Sequence, residues 1–474
     1  MEFVINRDKF RSDFSLSKEN ENKNSVKHST GKNIGILPYT TKYENKHKEF
    51  IQGFKVCIGE FCRRIYQKKI KNDDININDV DNIIKDVDVE PEDKIALKSI
   101  IKELFFDEKG NIYTFHPLLL NYIDIKKGDY NKSLANFLYD VLLNDKDNDV
   151  VDKIVECFKY RPENVMELLL LENLPELQEN KSKSKQKYKN CVYNVSSIFK
   201  EDLSFMLDNP EFFIKDFEKL LKYYYFFYVS QLSLKLSKFF DYNPYEQEEL
   251  YFNLDWETAS KSRTSYLKGW KMLESTLRPL FSHANTLEIL NSNEQDISYD
   301  YYDIKEIISS YDEDKKYEVK SNISQIVFLY KENITDVVWD EFNVDRKYDD
   351  DIQNTIYELF KTIDHQFNKS SSRKKPYESY KKWFEEFCKI NFLRRRGSLG
   401  YTLNITQEYL LFITKVSIKD KERIKLKDLF EEYKKRGLYL DRDSQSKIVE
   451  LFEKLNLIEK KSDSGDAQYV RSIL

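Results

Sequence analysis

The sequence predicts a mainly α-helical fold, a multi-helix body that ends in a small α+β domain. Three observations carry that expectation. Glycine is scarce, 11 in 474 residues, whereas phosphate-cradling loops and many-stranded sheets draw on glycine for positive φ and close backbone approach. Hydrophobic residues make up 40% of the chain, enough to build packed cores. Over most of the length they recur at three- and four-residue steps, the period of an amphipathic helix.

Residues 1–48 are polar and broken by Gly31, Gly35 and Pro38, and read as an extended arm with one apolar anchor at Ile34–Tyr39. From Phe50 to Ile70 the positions Phe50, Phe54, Cys57, Phe61 and Ile65 mark a helix. Asn76–Ile84 and Pro91–Phe106 continue the pattern, Pro91 standing where a helix begins. Leucine-rich helices follow over 117–172. The stretch ENKSKSKQKYKN, Glu179 to Asn190, has no apolar period and reads as a linker. A first helical domain is therefore expected over 49–180 and a second over 191–368. The second contains the aromatic run Tyr223–Tyr228, expected as helix core or interface because no basic residue interleaves it, and a buried helix pair between Asp255 and Leu290. Residues 291–352 are acidic and are expected to hold a mobile or outward-facing segment.

After the polar break Asn368–Pro376, a last domain is expected over 377–474. Its order is specific: helix Ile405–Val416 capped by Thr406 or Asn404, short strand Arg423–Leu426, helix Lys427–Lys435 stopped at Gly437, and helix Asp441–Leu455 capped by Asp441 or Asp443. Strands Leu457–Lys461 and Gln468–Ile473 follow, with a turn at Ser462–Asp466. Helix, strand, helix, helix and hairpin is the winged-helix layout. Charge sharpens the reading. Residues 371–474 carry 24 Lys/Arg against 16 Asp/Glu, a net of +8, while the rest holds 53 against 66, a net of −13. A basic end on an acidic chain points to an anionic partner such as DNA, or to docking on acidic protein. The candidate DNA contacts are Arg394, Arg395 and Arg396 for phosphates, and Arg442, Ser444, Gln445 and Lys447 at the head of the third helix, where such domains meet a major groove. Against groove reading stand the modest charge of that helix and Asp463 and Asp466 at the hairpin tip.

Signatures of catalysis are missing from the sequence. It contains no G-x-x-x-x-G-K-[ST] loop, no G-x-G-x-x-G, no H-E-x-x-H and no G-x-S-x-G. Its five histidines are isolated, and its five cysteines, Cys57, Cys62, Cys157, Cys191 and Cys388, form no C-x-x-C pair or zinc spacing and suit a reducing compartment. Glu318-Val319-Lys320, with Asp300 or Asp303 upstream, is the nearest approach to a metal-dependent nuclease, which needs two carboxylates on the metal and a lysine for developing charge. Its surroundings, DEDKKYEVKSN, are too polar for the buried strand such a site requires. The expectation is a non-enzyme without cofactor, metal or small-molecule substrate, with no signal core at its start and no apolar run long enough to span a bilayer, hence cytoplasmic.

Several segments resemble one family. They are Asp255-Trp256-Glu257, Ser262-Arg263 and Gly269-Trp270 running into Leu280-Phe281-Ser282-His283, then Arg436-Gly437, Asp441-Arg442 and Ser462 to Val470, with Ile36-Leu37-Pro38 early in the chain. Together they look like the DptG (DndG) family, the G subunit of bacterial DNA-phosphorothioation-dependent restriction systems, over about half the chain. The resemblance implies antiphage defence beside two larger subunits, F and H, of ATPase or helicase character, directed at DNA without backbone sulfur. It supplies no catalytic residue. Three readings follow: a DNA-binding or scaffolding subunit of such a complex, a nuclease using Asp303, Glu318 and Lys320, and a winged-helix module that docks only on proteins in another defence or chromosome-organising complex.

Overall fold

A computed structural model describes residues 2–16, 26–44, 54–70, 80–85, 87–108, 110, 112–123, 129–143, 149–180, 186–295, 297–340, 342–460 and 468–473. The chain is mainly α-helical, with small sheets, and clusters into two units: residues 1–52, 187–198 and 225–474 form one, and 53–186 with 199–224 form the other. No helix among the described residues is long and apolar enough to cross a membrane.

In order, the helices are α1 (Arg7–Asp13), α2 (Phe54–Tyr66), α3 (Val80–Ile83), α4 (Pro91–Phe105), α5 (Asp129–Leu142), α6 (Asp149–Phe158), α7 (Val165–Glu172), α8 (Tyr193–Leu207), α9 (Pro210–Lys238), α10 (Thr264–Leu267), α11 (Trp270–Leu277), α12 (Leu280–Leu290), α13 (Tyr301–Ser309), α14 (Glu313–Glu332), α15 (Asp351–Lys369), α16 (Lys374–Asn391), α17 (Gln407–Ile418), α18 (Leu426–Lys435) and α19 (Arg442–Lys454). The strands are β1 (Lys68–Ile70), β2 (Leu177–Glu179), β3 (Tyr251–Leu254), β4 (Leu393–Arg395), β5 (Tyr401–Ile405), β6 (Arg423–Lys425), β7 (Tyr439–Leu440), β8 (Ile458–Lys460) and β9 (Gln468–Arg471).

In the unit that starts at residue 53, α2 buries Phe54, Cys57, Phe61, Cys62 and Ile65, the stripe its spacing predicts. A separate cluster joins Val80, Ile83 and Ile84 to Ile101, Phe105 and Leu170. Strand β1 pairs antiparallel with β2, Lys68 opposite Glu179. The sequence expectations at Asn76–Asp79 and Phe50 lie outside the described residues.

The other unit takes in both ends of the chain. Residues 2–16 and 26–44 are no loose arm: Phe3, Phe10, Phe14, Ile34, Ile36, Leu37 and Tyr39 are all buried. A polar sequence packs this way because its backbone finds partners. The buried Glu288 carboxylate on α12 accepts the N–H groups of Gly31 (3.1 Å), Lys32 (2.8 Å), Asn33 (2.6 Å) and Ile34 (3.4 Å), and Trp383 Nε1 donates to the Thr40 carbonyl at 2.9 Å. The acidic stretch around residue 300 also turns inward. Tyr299, Asp300 and Tyr301 are buried, and Asp300 and Asp303 form a capping box at the head of α13. The aromatic run of α9 is core, with Phe226 and Phe392 centroids 4.5 Å apart and Tyr225 and Phe387 4.7 Å apart.

Two sheets lie toward the C-terminus of this unit. One is mixed, in the order β4-β5-β3-β7, with β3 parallel to β5 (Asn253 opposite Asn404) and to β7 (Tyr251 opposite Tyr439), and β4 antiparallel to β5. The other is antiparallel, in the order β6-β9-β8. Thr406 caps α17 and Asp441 caps α19 through their side chains. The expected turn at Ser462–Asp466 lies outside the described residues.

Candidate nucleic-acid interface

Strand β3 is buried from Phe252 to Leu254 and lies between two parallel neighbours. The carboxyl ends of β3, β5 and β7 therefore point the same way, and a segment that the sequence singles out leaves each. Asp255-Trp256-Glu257 follows β3, Thr406 opens α17 after β5, and Asp441 opens α19 after β7. Ligands of sheets with parallel strands favour the ground beyond those carboxyl ends.

Residues 254–257 make a tight turn, the Glu257 N–H donating to the Leu254 carbonyl at 3.3 Å. The Glu257 side chain folds back, its Oε1 accepting from the Leu254 N–H (2.8 Å) and the Ser444 hydroxyl (2.9 Å). Two arginines of the basic run clamp the same turn. Arg396 donates to the carbonyls of Leu254 (2.7 Å) and Glu257 (2.5 Å), and Arg394 donates to the carbonyl of Asp255. On the far side Arg263 gathers the head of α19. Its guanidinium bonds Asp441 Oδ2 (3.1 Å) and Oδ1, the Ser444 hydroxyl (2.8 Å) and the Thr258 carbonyl (2.7 Å), and stands 3.1 Å from Glu257 Oε1. Burial alone would raise the Asp441 carboxyl, but the bonds from Arg263 and the Ser444 N–H outweigh it and hold it down at about 2. Burial and the neighbouring Arg394 charge lower the pKa of Arg396. Beneath the turn, Ser265 donates to Asn253 at 2.9 Å and Thr402 to Asn404 at 2.7 Å. Glu257 Oε2, Arg396 Nε and Asn404 Nδ2 are buried without a hydrogen-bond partner among the described residues.

The structure thus brings together the two groups of residues expected to touch DNA. Arg394 and Arg395 are exposed on β4, and Arg442 is exposed at the head of α19. Arg396 is partly buried and committed to the turn. Gln445 Nε2 donates to the Leu440 carbonyl at 3.0 Å, and the exposed Lys447 pairs with Glu450 at 2.8 Å. Ser444 is a correction: it is fully buried between Glu257 and Arg263 and has no face for a groove. Sequence reasoning gave no role to Glu257, Arg263 or Asp441 as a hub. The available signal was that Asp255-Trp256-Glu257, Ser262-Arg263 and Asp441-Arg442 stood out together as motifs, and these segments are the ones that meet.

The nuclease set does not assemble. Asp303 pairs with Lys189 at 2.8 Å, Glu318 with Lys315 at 2.9 Å and Lys320 with Asp351 at 2.6 Å. Glu318 and Lys320 lie on helix α14 instead of a buried strand, and Glu318 is exposed. Among the described residues no group of three or more His, Cys, Asp or Glu could hold a metal ion. Comparison with protein-family models and with curated proteins finds no match to this chain.

Proposed function

We propose that this chain is a non-catalytic, DNA-binding and scaffolding subunit of a phosphorothioation-dependent restriction complex, the G subunit that its motifs resemble. On this reading residues 407–471 are a winged helix. The order α17, β6, α18, α19, β8, β9 and the sheet order β6-β9-β8 support it. Double-stranded DNA and the F and H subunits are its partners, the cytoplasm is its compartment, and it takes no cofactor or small-molecule substrate.

One observation carries the reading: Arg394, Arg395 and Arg442 are exposed around a single clamped hub, in the basic end of an acidic chain. The occupied head of α19 supports one mode of contact over another. With Ser444 and Asp441 engaged by Arg263 and Glu257, backbone phosphates are the target in preference to base edges, and binding is tolerant of sequence. The test is duplex binding across a salt series. Each phosphate contact contributes about 0.9 to the slope of log K against log salt. The triple variant Arg394→Ala, Arg395→Ala, Arg442→Ala should flatten the slope by roughly 2–3 and weaken binding at low salt. Arg396 is spared because it holds two carbonyls of the turn, those of Leu254 and Glu257, where Arg394 holds one. Unchanged affinity discards the assignment, and binding to the F and H subunits that survives in the same variant favours docking on protein alone.

A further inference from the structure

We propose that Trp256 is a stacking platform for an unpaired base of single-stranded DNA, with Arg394 beside it for the adjoining phosphate. The inference rests on the DNA-binding reading and deepens it by naming a substrate state. Trp256 is 39% exposed, at the middle of the most heavily clamped turn in the site. The carbonyl of the residue before it is held by Arg394, and the carbonyl of the residue after it by Arg396. Asp255 is further tied through its N–H to the Ile405 carbonyl at 3.2 Å, and Glu257 through its side chain to Leu254 and Ser444. The backbone on either side is therefore held, and the turn keeps the indole at the surface. Of the other tryptophans, Trp270 and Trp383 are buried.

An exposed indole on a turn held by the exposed Arg394 has a specific complement. Its face takes an aromatic ring, and its cationic neighbour takes an anion bonded close to that ring. A nucleotide supplies both, and aromatic stacking with nearby basic groups is how single strands are held without sequence preference. In a closed duplex each base face is already stacked on its neighbours, so the platform engages bases that are unpaired at gaps, ends or opened segments. Arg395 is exposed and stays available to phosphates whether the strand is single or paired.

Fluorescence anisotropy with a labelled oligothymidylate and with a labelled blunt duplex tests this on the full chain. Stacking contributes about 1–3 kcal/mol per base, so Trp256→Ala should weaken single-strand binding by about 5- to 150-fold and leave duplex affinity within about twofold. Trp256→Phe keeps a π-face and should retain most single-strand affinity, but it should lose the quenching of indole emission that the oligonucleotide causes in the wild type. Unchanged duplex affinity in Trp256→Ala also shows that the fold has survived. The proposal is overturned if wild type fails to bind the single strand, if Trp256→Ala binds it as wild type does, or if quenching persists in Trp256→Phe. Should the arginine variants weaken duplex binding while Trp256→Ala changes nothing, the phosphate-contact reading stands and the platform alone falls.

Discussion

Arg263→Ala is the most searching perturbation of the hub. The guanidinium is 10% exposed, and its two buried carboxylate partners, Glu257 and Asp441, are 2% and 11% exposed; a third, Asp443, lies at the surface. Removing one member of a buried ionic cluster leaves the others charged and without compensation, at a cost of about 3–5 kcal/mol. The Ser444 hydroxyl and Thr258 carbonyl lose a donor as well. The loss is concentrated at the head of α19, so hydrogen exchange over Arg442–Lys454 measures it locally. At about 1.4 kcal/mol per tenfold, protection there should fall by roughly a hundred- to several-thousand-fold. Arg263→Lys restores charge without the planar fork that spans Asp441, Ser444 and Thr258, and should recover only part of the loss. The pH dependence follows from Asp441, whose carboxyl is lowered from 3.8 to about 2 in the folded chain. A lowered acid contributes stability above its unfolded pKa and loses it as pH falls through the folded value. The gap between wild type and Arg263→Ala in urea midpoint should therefore be full near neutrality and narrow between about pH 4 and pH 2. A change in protection below about tenfold, or a gap that widens on acidification, refutes the hub.

Two further perturbations test the frame around the site. Glu288→Ala removes the acceptor of four backbone N–H groups and should cost about 3–5 kcal/mol; proteolysis should then cut preferentially within residues 26–44, and an unaltered cleavage pattern contradicts the latch. Gly437→Ala places a Cβ 2.3 Å from the Phe227 ring at a φ of +76°, combining left-handed strain with overpacking for a loss of about 2–4 kcal/mol; a thermal midpoint within a degree of wild type would show that the contact relaxes freely.

The features legible in the sequence are local ones. Helix periodicity predicted α2, because a 3.6-residue stripe needs only its own neighbourhood, and the lack of interleaved basic residues marked the aromatic run of α9 as core. The caps at Thr406 and Asp441 and the stop at Gly437 were legible for the same reason: a side chain accepting an N–H three residues on, or a glycine adopting positive φ, is settled within one turn. The order helix, strand, helix, helix, strand, strand after Thr406 followed from such signals, whereas α16, β4, β5 and β7 did not.

Tertiary structure decided everything that joins distant segments. The polar stretch at residues 31–34 is held against the core because Glu288, more than 250 positions away, accepts its four backbone N–H groups. Ser444 has the composition of an exposed helix head, yet a glutamate 187 residues earlier and an arginine 181 residues earlier bury it. The run Arg394–Arg396 looks uniform in sequence, but two of its members are tied to carbonyls of residues 254–257 and one is left without such a bond. Charge and periodicity state which groups need partners. Only the folded chain chooses which partner arrives, since that choice depends on strand order and on which carbonyls the sheet leaves open.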